Sequence, residues 1–194
     1  MAEKFHNKYR IQSARLQYWD YGWNAFYFVT ICTKNRKCYF GEIRKRIVDE
    51  PLRVSLSEIG KIAEQYWINI PEHFPFVNLG EFVIMPNHVH GIIIIDKPVD
   101  VRNDVETQNF ASLHSQQRTN EQKNKFGPQS KNLASIIRGF KSGVKKYATI
   151  NNIDFAWQSR FYDHIIRDEK SFQNISNYII KNPSNWMDDS FYNQ

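Results

Sequence analysis

The stretch "NLGEFVIMPNHVHGIIIID", residues 78–96, decides the predicted fold. It contains two runs rich in β-branched and aromatic residues, 78–85 and 88–96, which are typical of strands. Pro86 and Asn87 between them suit a tight turn better than a continuous strand. The stretch therefore predicts a β-hairpin whose second strand begins with two histidines, His88 and His90.

The hydrophobic pattern on either side of this hairpin predicts the other elements. Residues 25–33 and 160–168 are predicted strands, and 55–70, 132–148 and 168–182 are predicted helices with apolar residues at helical spacing. Ser55, with Glu58 three residues later, predicts a capping box at the start of the first helix. Pro183 is expected to end or kink the last helix and to disfavour helical geometry at Asn182. The order strand, helix, strand, strand, helix, strand, helix predicts an α+β fold, in which helices pack against one largely antiparallel sheet.

The length and composition favour one folded domain. With 194 residues, 41% of them hydrophobic and 15% aromatic, the chain can bury one good core. We therefore expect a single domain over residues 1–194. The polar stretch at about 97–132 has too few apolar residues to offset the entropy cost of ordering it. It is predicted to be a mobile insertion.

The net charge and the cysteine content indicate which kind of partner and which cellular compartment to expect. The formal net charge of +6 favours anionic partners, of which nucleic acid is the simplest. Cys32 and Cys38 are the only cysteines. Their spacing fits neither a metal knuckle nor a disulfide scaffold, and it favours a reducing cytoplasm. The longest purely aliphatic run, 92–95, is too short to span a bilayer, so no membrane partner is expected.

The two histidines of the hairpin are candidate metal ligands. Residues i and i+2 of a strand point to the same face, so His88 and His90 present their imidazoles side by side. The alternative is a hydrogen-bonded histidine pair at a strand end. Tyr178 and Asn182 lie one turn apart on the last predicted helix. An amide oxygen suits Mg²⁺ or Mn²⁺, and a tyrosine can act as an oxygen nucleophile, although a tyrosine at the edge of the core is the alternative.

Two basic regions are candidates for binding DNA. Arg138, Lys141 and Lys145 are predicted to stack along one flank of a helix, where the alternative is an ordinary solvated face. Arg10 and Arg15 lie in an N-terminal stretch that interleaves basic and aromatic residues. Basic groups contact phosphates and aromatic rings stack on unpaired bases, so this composition indicates a platform for a single strand, unless the rings simply cover the sheet.

Five motifs follow one another over most of the chain: "YFVTICTKNR" (27–36), "MPNHVHGIIII" (85–95), "IIRGFKS" (136–142), "WQSRFYDHIIRDE" (157–169) and "YIIKNPSNW" (178–186). Together they resemble the REP-associated tyrosine transposases, which belong to the HUH single-strand DNA nucleases. The resemblance implies a ferredoxin-like antiparallel sheet on which His88 and His90 hold a divalent metal, Mg²⁺ or Mn²⁺. Asn182 matches the residue that completes the metal site in that family.

The resemblance also implies an activity. Tyr178 matches the family's tyrosine, which attacks a DNA phosphodiester to give a 5′-phosphotyrosine and a free 3′-hydroxyl. His164 matches a histidine common in the family and is a possible neighbour of the active site. The implied enzyme cleaves and rejoins single-stranded DNA at hairpin, REP-like elements in transposition, as a monomer or homodimer in the cytoplasm, associated with the nucleoid. A non-catalytic DNA-binding module of the same fold and a metal hydrolase of small phosphorylated substrates stay open as alternatives.

Overall fold

Eight strands and four α-helices are the main elements of the part of the chain that the structure describes. A computed structural model describes residues 16, 18–44, 52–98 and 130–192, together with the backbone of two short strands near the start. In chain order the elements are β1 (Lys4–Phe5), β2 (Lys8–Tyr9), β3 (Ala25–Cys32), β4 (Gly41–Arg44), β5 (Arg53–Leu56), α1 (Glu58–Ile68), α2 (Ile70–His73), β6 (Val77–Ile84), β7 (His88–Ile95), α3 (Leu133–Ile150), β8 (Tyr162–Ile166) and α4 (Glu169–Lys181).

The main sheet has four antiparallel strands in the order β6-β7-β3-β8. Together with α1 and α3, these strands follow the order β-α-β-β-α-β of a ferredoxin-like fold. The predicted α+β class, a ferredoxin-like antiparallel sheet with helices packed against it, is confirmed. Strands β1 and β2 pair with each other, and β4 and β5 form a separate hairpin that the sequence patterns did not predict.

The strand β7 divides its side chains between two apolar clusters. Val89, Ile93 and Ile95 belong to the main core, which also contains the buried residues of α1 and α3. Ile92 belongs to a smaller cluster with Ile179 of α4. Because alternate residues of a strand point to opposite faces, the even-numbered residues of β7, including both histidines, lie on the face that α4 covers. The fold thus positions the histidine pair beneath the helix that carries Tyr178.

Two predictions at the helix ends are wrong. Ser55 lies in β5, and the cap of α1 is Ser57, whose hydroxyl accepts a hydrogen bond from the Gly60 amide at 3.1 Å. The helix α4 ends at Lys181 before Pro183, as predicted, and a 3₁₀ helix continues over Asn182–Asp188. Asn182 nevertheless keeps helical dihedrals (φ −56°, ψ −42°) and begins the 3₁₀ helix.

Several predictions fall on residues that the structure does not describe. Most of the predicted insertion at 97–132, and both Arg10 and Arg15, lie outside the described residues. The single-domain organisation with a mobile insertion therefore stays a prediction. Within the described ranges, none of the helices has the length and apolar character needed to cross a membrane.

Candidate active site

The histidine pair lies at the start of the central strand β7 and is almost completely buried. His88 is 0% exposed and His90 is 1% exposed, and their ring centroids are 4.3 Å apart. Opposite them on β3 lie Cys32 and Thr30, respectively. Both neighbouring strands hold this part of β7 by backbone pairing, so the spacing of the two imidazoles is fixed by the sheet.

A buried asparagine determines which nitrogen of His88 carries the proton. The Asn87 amide nitrogen donates to two backbone carbonyls, those of Arg36 (3.1 Å) and Phe191 (2.8 Å). Its oxygen must therefore face His88 Nδ1, which lies 2.8 Å away and donates to it. His88 Nε2 is left with an unprotonated lone pair, and it is buried without a hydrogen-bond partner among the described residues.

Both ring nitrogens of His90 lie within hydrogen-bond distance of a hydroxyl group. Its Nδ1 lies 2.9 Å from the Thr30 hydroxyl, and its Nε2 lies 3.3 Å from the Tyr178 hydroxyl. Burial lowers the pKa of His90 to about 4, although the Asp189 carboxylate opposes this shift. Burial, followed by the neighbouring His90 and Arg36, also holds the pKa of His88 well below its usual value. Both imidazoles are therefore neutral at physiological pH, which is the form that binds metal ions.

Tyr178 projects from α4 over the histidine pair. Its side chain contacts the rings of His90 and Phe28 edge to face, with centroid distances of 5.4 and 6.2 Å. It remains 45% exposed, so a ligand in solvent can reach the hydroxyl. Burial of the ring, and then the charge of Asp189, raise the pKa of Tyr178. The phenol therefore keeps its proton at neutral pH.

The segment after α4 brings two more polar residues to the site. Asn182 is 2% exposed, and its Oδ1 is buried without a hydrogen-bond partner among the described residues. Its Nδ2 donates to Asp189 Oδ2 at 3.0 Å. One ligand atom each from Asp189, His88 and His90 lies within 4.8 Å of the others. Sequence analysis missed Asp189, because it follows an irregular segment in which no helical or strand periodicity places a side chain.

The other predicted site residues are more distant from the histidine pair. His164 pairs with Phe28 across the sheet and so lies on the α4 face, where it is exposed and makes no hydrogen bond to a described residue. On α3, the Lys141 ammonium donates to the Gln158 carbonyl and the Lys145 ammonium donates to the Phe155 carbonyl at 2.7 Å. Arg138 is exposed on the same helix.

An open groove lies on the surface formed by the segments 34–36 and 156–159. It has a volume of about 740 Å³ and is lined by Lys34, Asn35, Arg36 and residues 156–159. The Arg36 carbonyl is the one that accepts from Asn87, so this end of the groove adjoins His88. At the other side, Lys141 contacts the groove through the Gln158 carbonyl. The groove therefore carries two basic lining residues, Lys34 and Arg36, one of which is linked to His88 through Asn87.

The fold is similar to that of a solved transposase. It matches a solved structure of a REP-associated tyrosine transposase bound to a REP hairpin with a TM-score of 0.53, over 89% of this chain and 73% of that one. The sequence identity between the two is 17%, so this comparison concerns the fold alone. No protein-family model matches the chain.

Two proteins of Haemophilus influenzae (strain Rd) resemble the chain in sequence. An uncharacterized protein is 41% identical over 182 residues, which cover 93% of this chain and 92% of that protein. A protein named "Putative REP-associated tyrosine transposase" is 31% identical over 112 residues, 58% of this chain and 52% of that protein. The chain belongs to the same family as the uncharacterized protein, and its resemblance to the REP-associated tyrosine transposases is confirmed. These similarities support a transposase-like function.

Proposed function

We propose that this protein is a metal-dependent transesterase specific for single-stranded DNA. It cleaves and rejoins DNA at hairpin, REP-like elements through a 5′-phosphotyrosine intermediate and acts in DNA transposition. The observation that carries this proposal is the approach of the Tyr178 hydroxyl to His90 Nε2 at 3.3 Å, directly beside the unprotonated Nε2 of His88. A hydroxyl nucleophile and two neutral imidazoles thus meet at one site.

The residues around this point fit a divalent ion. An unprotonated imidazole nitrogen that is buried without a partner is costly unless a ligand satisfies it, and His88 Nε2 is such an atom. We assign His88, His90 and the Asn182 amide oxygen to the ion, which is Mg²⁺ or Mn²⁺. When bound, the ion supplies electrostatic stabilisation to a phosphodiester oxygen and to the leaving oxygen.

Tyr178 is the proposed nucleophile. Its hydroxyl oxygen forms a bond to the phosphorus, the bond from phosphorus to the 3′ oxygen breaks, and the leaving 3′ oxygen takes up a proton to become a 3′-hydroxyl. The phosphotyrosine keeps the energy of the broken ester, so a second 3′-hydroxyl can attack it and rejoin the DNA without a nucleotide cofactor. The raised pKa of Tyr178 means that its proton must be removed during the attack. His164, exposed on the same face of the sheet, is a proposed neighbour of the site.

The groove next to the site gives the proposed path of the DNA. The groove is lined by Lys34 and Arg36, and Lys141 contacts the carbonyl of its lining residue Gln158. Cations at these positions suit a phosphate backbone. Arg138 and Lys145 extend the basic surface along α3, and Arg10 and Arg15 are further proposed contacts. A hairpin partner is proposed because the solved transposase of the same fold is bound to a REP hairpin. We further propose that the protein acts as a monomer or homodimer on cytoplasmic, nucleoid-associated DNA.

The decisive experiment measures covalent capture of DNA. Labelled single-stranded hairpins from the DNA flanking the gene are incubated with the protein and Mg²⁺ or Mn²⁺, and protein–DNA adducts are scored on denaturing gels. The wild type should form an adduct that is absent in EDTA and in His88→Ala. Tyr178→Phe keeps the ring but removes the attacking oxygen, so it should bind hairpins and form no adduct.

The matched control is Tyr162→Phe. Tyr162 is 57% exposed and pairs with Thr30 on the same face of the sheet, so it is a second accessible tyrosine near His90. Its phenylalanine variant should form the adduct at the wild-type level. Hairpin binding by the wild type without any adduct would instead support a DNA-binding module. Phosphate release from small substrates without an adduct would support a metal hydrolase.

A further inference from the structure

The carboxylate of Asp189 faces the histidine pair although no helix or strand carries it. It directly follows the 3₁₀ helix Asn182–Asp188, where the backbone becomes extended (φ −73°, ψ 136°). Ligand atoms of Asp189, His88 and His90 all lie within 4.8 Å of one another. This is a separation that a single ion can bridge, since metal–ligand bonds are about 2.0–2.6 Å long.

The Asp189 carboxylate is fixed in its position by two donors. Its Oδ2 accepts from the Asn182 amide nitrogen at 3.0 Å, and its Oδ1 accepts from the Phe191 backbone amide at 2.8 Å. The Asn182 side chain is itself buried and cannot turn away without losing this bond. Each carboxylate oxygen keeps a lone pair beyond these hydrogen bonds, so the group can accept a further ligand.

A second observation points to a cation at this site. His88 Nε2 and Asn182 Oδ1 are both buried without a hydrogen-bond partner among the described residues, and Asp189 is close to His88 and hydrogen-bonded to the Asn182 amide nitrogen. The two unsatisfied atoms and the free lone pairs of the carboxylate together form a set of acceptors. Acceptors of this kind gather around a cation, because each of them supplies negative charge or a lone pair.

Charge balance explains why a carboxylate is needed. Two neutral imidazoles and an amide oxygen provide no formal negative charge to a divalent ion. Mg²⁺ and Mn²⁺ prefer oxygen ligands, and the number of charged ligands tunes the affinity of such sites. We propose that Asp189 supplies a carboxylate ligand to the divalent ion held by His88 and His90, and that Asn182 positions this carboxylate. This inference rests on the proposed function, because that function assigns the ion to the histidine pair.

The test measures metal binding directly, without DNA. Mn²⁺ is titrated calorimetrically into the full-length wild type, Asp189→Asn, Asp188→Asn and His88→Ala. Asp188 precedes Asp189 and is exposed, so its variant removes the same charge from the segment without changing the site. Asp189→Asn should weaken Mn²⁺ binding about tenfold or more, and Asp188→Asn should bind like the wild type.

The outcomes separate this inference from the proposed function. If Asp189→Asn binds Mn²⁺ like the wild type while His88→Ala does not bind, the Asp189 inference is wrong and the metal centre stands. If the wild type itself does not bind Mn²⁺, both are wrong. A loss of affinity in Asp188→Asn equal to that in Asp189→Asn would also overturn the inference, because it would be an effect of net charge.

A second variant keeps the test decisive if Asp189→Asn does not fold. Asp189→Cys replaces the hard oxygen by a soft thiolate, so it should change metal preference from Mn²⁺ towards Cd²⁺. Binding of Cd²⁺ should then produce an ultraviolet thiolate–cadmium absorption band above the wild-type level. Asp188→Cys is the control and should show no added band. An absent band in folded Asp189→Cys would contradict direct ligation.

Discussion

The variant Asn87→Ala should bind metal more weakly and have a lower free energy of unfolding, because it loses the three hydrogen bonds of the Asn87 side chain. The amide of Asn87 accepts from His88 Nδ1 and donates to the carbonyls of Arg36 and Phe191. At about 1 kcal/mol of net stability for each hydrogen bond, the variant should lose about 3 kcal/mol of unfolding free energy. Without the amide oxygen, His88 is free to exchange its tautomer and rotate. Loss of such an orienting partner costs about 10–100-fold in metal affinity.

The matched control for Asn87→Ala is Asn24→Ala. Asn24 makes two hydrogen bonds to the backbone of Lys97, at 2.9 and 3.0 Å, and it precedes the end of β3 that lies away from the histidines. Its alanine variant should lose about 2 kcal/mol of unfolding free energy and keep its metal affinity. Urea unfolding gives the free energies, and calorimetric titration with Mn²⁺ gives the affinities. Equal metal affinities in both variants would refute the orienting role of Asn87.

Three further predictions concern pH, packing and DNA binding. In EDTA, lowering the pH from about 6.5 to about 4 should reduce the free energy of unfolding by up to about 3 kcal/mol through His90. The reason is that His90 binds a proton in the unfolded chain at a pH where the folded chain keeps it neutral. His90→Gln should therefore reduce the pH dependence of the free energy of urea unfolding over this range. Gly91→Ala places a Cβ 2.3 Å from the buried ring of Trp67 and should cost about 1–3 kcal/mol in urea unfolding, and an unchanged midpoint would contradict this close packing. Replacing Lys141 and Lys145 by alanine should weaken hairpin binding for all sequences and reduce the dependence of binding on salt in filter-binding titrations. An unchanged salt dependence would mean that neither ammonium group contacts DNA phosphates.

The sequence could predict the sheet and the histidine pair because both follow from local rules. The alternation of a strand places His88 and His90 on one face whatever the rest of the fold does. In the same way, helical spacing places Tyr178 one turn before Asn182. Which face the helix α4 would cover was not predictable from these rules. It depends on how residues distant in sequence share the apolar surfaces of the sheet.

The features that sequence analysis missed depend on short or irregular segments. The strands β4 and β5 have four residues each, and half of these residues are exposed, so their pattern is too short to separate from a loop. The choice of Ser55 instead of Ser57 as the cap of α1 follows from this, because the preceding strand was not recognised. Asp189 reaches the site only because the chain turns back after the 3₁₀ helix. No periodicity encodes such a reversal.

The attachment of α4 has a consequence for hydrogen exchange. Within the described residues, α4 buries only Ile179 completely, whereas α3 buries six residues and nearly all of β7 is buried between two strands. A single buried aliphatic side chain contributes about 1.5–3 kcal/mol, so α4 should open at a lower free energy than the sheet beneath it. Its amides should exchange with deuterium while those of β7 stay protected. Tyr178 would then be on an element that can detach while both histidines remain fixed. Under the proposed function, this detachment would move a DNA end joined to Tyr178 away from the site and back to it.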